Sequence, residues 1–175
     1  MKEIALVTGG CRSGKSAHAL ALAASMAAGP RYFLATCVPG DREMQDRVAR
    51  HQQDRGKEWQ TIECPVAIGE AILRVSEKNN VVLVDCLTLW MNNLLAETED
   101  QVFLEQHIDA LTQALTRAAG SVILVTNEVG CGIVPADRLT RLFRDMTGLA
   151  NQRVAAAADK VVWMVSGVPV IIKVA

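Results

Sequence analysis

The sequence predicts an α/β fold: a mostly parallel central sheet flanked by helices and finished by a C-terminal hairpin. Three observations carry this. Apolar runs of strand length recur along the chain, helix-length stretches separate them, and the last two apolar runs are split by a Ser166-Gly167 turn. At 175 residues the chain is long enough to bury a continuous core, and residues 1–175 are read as a single domain.

The elements follow in order. Ile4-Ala5-Leu6-Val7-Thr8 is a short buried strand, and the alanine-rich stretch from Lys15 to Ala28 is a helix ended by Gly29-Pro30. Arg31 to Thr36 reads as a second strand. Met44, Val48 and His51 recur at helical spacing in the charged segment 41–53, which Gly56 terminates. Trp59 to Glu63 is a short strand, Pro65 to Ser76 a helix, and Val81 to Val84 a compact apolar strand ending in Asp85. Leu87 to Leu95 and Val102 to Ala119 are helical, with Gly120 expected to cap the second. Ser121 to Thr126 is another buried strand. A glycine-containing loop, 127–135, precedes a helix from Asp137 to Ala158 that Gly148 is expected to interrupt, and Lys160–Val165 with Val168–Val174 form the hairpin.

Between the first strand and the first helix stands Gly9-Gly10-Cys11-Arg12-Ser13-Gly14-Lys15-Ser16, the G-x-x-x-x-G-K-S pattern of a phosphate-binding loop. Its glycines permit backbone N–H groups to curl around a polyphosphate, Lys15 reaches the outer phosphates, and the Ser16 hydroxyl is a ligand for Mg2+. Asp85, closing an apolar strand expected beside the first, matches the acid that holds or orients that metal. The fold class is therefore that of a P-loop NTPase, RecA-like in layout, with small kinases and assembly ATPases both compatible. No N-K-x-D run reads guanine; Thr126-Asn127-Glu128-Val129 is the nearest segment and lacks both the lysine and the aspartate.

Bulk properties narrow the partners. A formal charge of −1 offers no basic field for nucleic acid. No apolar run reaches the roughly 18 residues of a membrane span, and the N-terminus lacks a signal-peptide pattern. Five cysteines, without a C-x-x-C pair, suggest neither a zinc site nor a disulfide framework and fit a reducing cytoplasm.

The segments from Val7 to Ser16, Asp85-Cys86-Leu87-Thr88-Leu89-Trp90, Thr126 to Pro135, and Phe143-Arg144-Asp145 through Asn151-Gln152 closely resemble the bifunctional adenosylcobinamide kinase / adenosylcobinamide-phosphate guanylyltransferase family. The resemblance spans residue 4 to Lys173. It implies two reactions: phosphorylation of the adenosylcobinamide hydroxyl by a nucleoside triphosphate, ATP or GTP, and transfer of GMP from GTP to that phosphate. It further implies a covalent GMP-histidine at His51, and a homotrimer with the nucleotide site near a subunit boundary. Arg47 and Arg55, four residues either side on the expected helix, would flank a phosphate on that imidazole.

Family resemblance also places nucleotide contacts at Ala35, Thr36 and Cys37, at Gln52, Gln53, Asp54 and Arg55, and at Glu63 and Asp85, beside residues 9 to 16. Each has a plainer alternative as a strand end, helix end or edge residue. Glu128 either accepts the proton of the substrate hydroxyl or orders the glycine loop after it. Two other readings stay open: a small P-loop kinase of another alcohol, and a RecA-like assembly ATPase.

Overall fold

The computed structural model describes residues 2–26, 28–40, 42, 56 and 58–174. Apart from Arg42, the helix expected over 41–53 lies outside the described residues, and with it His51, Arg47, Gln52, Gln53, Asp54 and Arg55. Seven strands, β1 (Ile4–Gly9), β2 (Arg31–Ala35), β3 (Trp59–Glu63), β4 (Val81–Asp85), β5 (Ser121–Val125), β6 (Lys160–Val165) and β7 (Val168–Val174), make one sheet in the order β3-β2-β4-β5-β1-β6-β7. All neighbours are parallel except β6 and β7, which form the expected antiparallel hairpin.

Each central strand is apolar on both sides because helices cover both faces. Leu6, Val84, Val122 and Leu124 face α2 (Ile68–Val75), α3 (Leu87–Glu97), α4 (Gln101–Arg117) and α5 (Arg138–Ala157). Alternate residues Ala5, Val7, Leu83, Ile123 and Val125 pack against α1 (Lys15–Met26). Ala19 and Ala23, one turn apart and fully buried, let that helix lie close to the sheet. Trp90 is also core, 1% exposed, and its indole Nε1 donates to the Val66 carbonyl at 2.7 Å. Two helices carry side-chain N-caps: Asp100 accepts from Val102 N–H at 3.0 Å, and Asp137 from Thr140 N–H at 2.8 Å.

Three expectations are corrected. β4 does not adjoin β1; β5 lies between them, pairing in parallel with both. Helix α5 runs through Gly148 without a break, because the helix on either side is held by buried Leu142, Met146, Ala150 and Val154. Gly120 does not cap α4, which ends at Arg117 with Ala118 as its C-cap. Its constraint is steric: a Cβ there would sit 2.1 Å from Asn80 Oδ1 and 2.4 Å from the Glu77 carbonyl.

Candidate active site

The phosphate loop turns out of β1 at a position only glycine fits. Gly9 has φ of 151°, and a Cβ on it would lie 2.5 Å from the Met164 carbonyl of the neighbouring strand. Gly14, at φ of 90°, returns the chain into α1. Gly167 N–H in the β6–β7 turn donates to Ser13 O at 3.1 Å, so the hairpin buttresses the loop. Between Gly10–Ser13 and Trp163–Ser166 lies a cavity of about 300 Å³. Lys15 is 8% exposed, and its ammonium donates to the Gly10 carbonyl at 2.5 Å, folded back onto the loop, a bond for which anionic oxygens would compete.

Helix α1 crosses the sheet over β1, β5 and β4, which explains how its first turn meets an acid two strands away. Asp85 and Val125 are register partners, and Val125 faces α1, so the Asp85 carboxylate emerges on the same side. The Ser16 hydroxyl donates to Asp85 Oδ2 at 2.9 Å. Two ligands at right angles around Mg2+, each at 2.0–2.1 Å, stand about 3 Å apart, so this oxygen pair has the spacing of two neighbouring positions on that ion. Hard oxygen donors, one carboxylate and room for phosphates are what the ion prefers; the residues fit it.

Past Asp85 the turn is fixed by Thr36. Its fully buried hydroxyl donates to Cys86 O at 2.8 Å and accepts from Cys86 N–H at 2.7 Å. Burial, then the adjacent Asp85 carboxylate, pushes the Cys86 thiol up to about 11. Asn93 on α3 donates to the carbonyls of Thr36 and Pro65 at 2.8 and 3.0 Å, tying the ends of β2 and β3 together.

The end of β5 carries a second built feature. Thr126, fully buried, donates to Asn151 Oδ1 at 2.7 Å; Asn151 donates to Asn127 O at 3.3 Å; and Asn127 N–H donates to Thr88 Oγ1 at 2.8 Å. This links α3, β5 and α5 and sets the path of the chain into Glu128, whose own N–H donates to Gly9 O at 3.1 Å. Glu128 therefore sits beside the phosphate loop, its Oε1 accepting from Gly130 N–H at 2.7 Å. Thr88, Asn93 and Asn151 carry no site role in the sequence reading; the signal available was polar residues at otherwise core-facing helical positions.

The structure thus brings Lys15, Ser16, Asp85 and Glu128 to one mouth at the C-terminal ends of the strands, the position open α/β sheets use for ligands. Ala35 ends β2 and the exposed Glu63 ends β3, along the same ridge but three and four strands from β1. At ~4.8 Å per strand, Glu63 is about 19 Å from the loop.

Comparison with known proteins agrees with this layout. Solved structures of similar fold include the flagellar accessory protein FlaH from Methanocaldococcus jannaschii, at TM-score 0.53 and 9% identity over 98% of this chain and 78% of that one. A KaiC-like protein from Pyrococcus horikoshii aligns at TM-score 0.51 and 16% identity over 92% and 71%. At such identities the likeness is one of fold. In sequence, the chain is 43% identical to the bifunctional adenosylcobalamin biosynthesis protein CobU of Escherichia coli, over 96% of this chain and 98% of the relative. It is 39% identical to the corresponding CobP protein of Pseudomonas aeruginosa, over 96% of each. Residues 5–172 match the family model for cobinamide kinase / cobinamide phosphate guanyltransferase. The chain belongs to that family.

Proposed function

We propose that this protein phosphorylates the side-chain hydroxyl of adenosylcobinamide with GTP or ATP and then moves GMP from GTP onto the new phosphate, giving adenosylcobinamide-GDP. The observation that carries the reading is the family match along 5–172, joined to a phosphate loop whose Ser16 lies 2.9 Å from Asp85.

In the kinase step the acceptor oxygen bonds to the γ-phosphorus, the bridging bond to the β-phosphate breaks, and the nucleoside diphosphate leaves. Loop N–H groups and Lys15 balance the negative charge that accumulates on the transferred and leaving oxygens. Mg2+, held by Ser16 and Asp85, would neutralise phosphate charge there. Glu128 is positioned beside the loop and takes the acceptor's proton; one of its oxygens holds Gly130 N–H, which fixes the carboxylate's direction. In the second step an imidazole nitrogen of His51 displaces pyrophosphate from the α-phosphorus of GTP, and an oxygen of the acceptor phosphate then displaces the imidazole.

One catalytic domain over 1–175 accords with the single continuous sheet. A homotrimer in the cytoplasm, with no nucleic-acid partner, is the setting we assign; the exposed apolar residues of β6 and β7 are the support for self-association. No helix among the described residues is long and apolar enough to cross a membrane.

The test is product analysis by mass spectrometry after mixing the protein with Mg2+, GTP and adenosylcobinamide. The phosphate and then the GDP adduct are expected; GTP hydrolysis with unmodified adenosylcobinamide would refute the reading. With α-labelled GTP, an acid-labile and base-stable protein adduct is expected, and its persistence in His51→Ala would remove that residue from the mechanism.

A further inference from the structure

We infer that the loop 130–135 is the platform on which the macrocycle of the acceptor rests, with Ile133 and Val134 as its contact residues and Arg144 and Arg141 as the residues that position it. This rests on the acceptor being the corrinoid proposed above.

Ile133 is 96% exposed and Val134 65%. Single exposed aliphatics are common on proteins and mean little alone. What separates this pair is that the backbone beneath them is fixed from several directions. Arg144 Nη1 donates to Ile133 O at 3.0 Å, and Arg141 Nη1 to Pro135 O at 3.1 Å and Ala136 O at 2.5 Å. At the other end Glu128 holds Gly130 N–H, and Asn151 holds the Asn127 carbonyl. Two arginines one turn apart at the start of α5 thus pin a loop whose two largest apolar side chains stand out into solvent.

Location supplies the second argument. The loop begins at Glu128, which contacts Gly9 of the phosphate loop, and Ile133 follows five residues later, within about 17 Å even for an extended chain. An acceptor whose hydroxyl meets the γ-phosphate on a flexible side arm sets its ring within that reach. Corrin edges carry methyl groups between amide arms, so an exposed aliphatic pair matches the methyl part of that surface.

Size decides the occupant. A stable contact between copies takes about 800 Å² from each partner, and two side chains reach only a fraction of that. The exposed hairpin residues Trp163, Val165, Val168, Val170 and Ile172, on one face of the pair, form the larger apolar surface. The loop therefore takes a small molecule, and the hairpin is the surface with the extent for a second copy.

The experiment is steady-state kinase kinetics on the full chain with adenosylcobinamide varied, comparing wild type, Ile133→Ser/Val134→Ser and Arg144→Gln. The double variant and Arg144→Gln are expected to raise the acceptor KM tenfold or more. The nucleotide KM and the acceptor-independent GMP labelling should stay within twofold. An unchanged acceptor KM in the double variant overturns the platform while leaving the function intact. So does a parallel rise in both KM values, or a change in mass by light scattering, which would mark the loop as a contact between copies. A wild type that turns over no adenosylcobinamide overturns both proposals.

Discussion

Replacing Thr126 by Val tests whether the polar cluster at the end of β5 holds the active-site loop. The two side chains have nearly the same shape, so no cavity opens and the effect reduces to hydrogen bonding. The lost hydroxyl leaves Asn151 Oδ1 without its 2.7 Å donor next to a fully buried residue, at a cost of about 1–2 kcal/mol. For a chain of this length each kcal/mol lowers the melting temperature by about 2–4 °C, so a drop of roughly 2–8 °C is expected. Thermal unfolding followed by circular dichroism reads it. The companion Asn151→Leu removes the orphaned acceptor, and in the double variant most of the Thr126→Val penalty should vanish, giving a coupling of about 1 kcal/mol. Two strictly additive single effects would refute the claim that this pair is a unit.

Three further outcomes follow from the same geometry. Asp85→Asn should cut kinase turnover about a hundredfold with an unchanged circular dichroism spectrum, and full activity would exclude Asp85 from the site. With iodoacetamide at pH 8, exposed Cys11 and Cys131 should react while Cys86, buried and raised to about 11, stays intact; saturating GTP should protect Cys11 but not Cys131, and equal protection would place the nucleotide elsewhere. The backbone N–H of Thr140 holds the Asp137 carboxyl below its ordinary 3.8, so its cap is stabilising above that pH and lost as pH falls through the lowered value. The melting-temperature gap between wild type and Asp137→Ala should accordingly be full at pH 7 and close in strong acid; a gap that persists there would mean the cap is not electrostatic.

The alternation of apolar runs and helices was legible because each central strand is buried on both faces and so carries no polar interruption, as in Val81–Val84 and Val122–Val125. The phosphate loop was legible because its constraint is local: glycine at Gly9 and Gly14, then Lys15 and Ser16. Strand order was not, since nothing in Val81–Asp85 states which parallel neighbour it takes, and β5 enters between β1 and β4 only once α4 has carried the chain across. The Thr88, Thr126 and Asn151 cluster was equally hidden. Its members are separated by 38 and 25 residues, and neither the two threonines at element ends nor the mid-helix Asn151 states alone which partner it meets.

That strand order also divides the labour at the site. With β5 beside β1, the chain leaving β5 passes directly over the phosphate loop: the backbone N–H of Glu128 bonds Gly9 O, while its carboxylate holds Gly130 N–H. Asp85 stays within reach only because α1 leans across two strands to bring Ser16 to it. In the function proposed above, Asp85 then serves the metal beside Ser16 on the α1 side, while Glu128 opens the loop that leads to the acceptor platform.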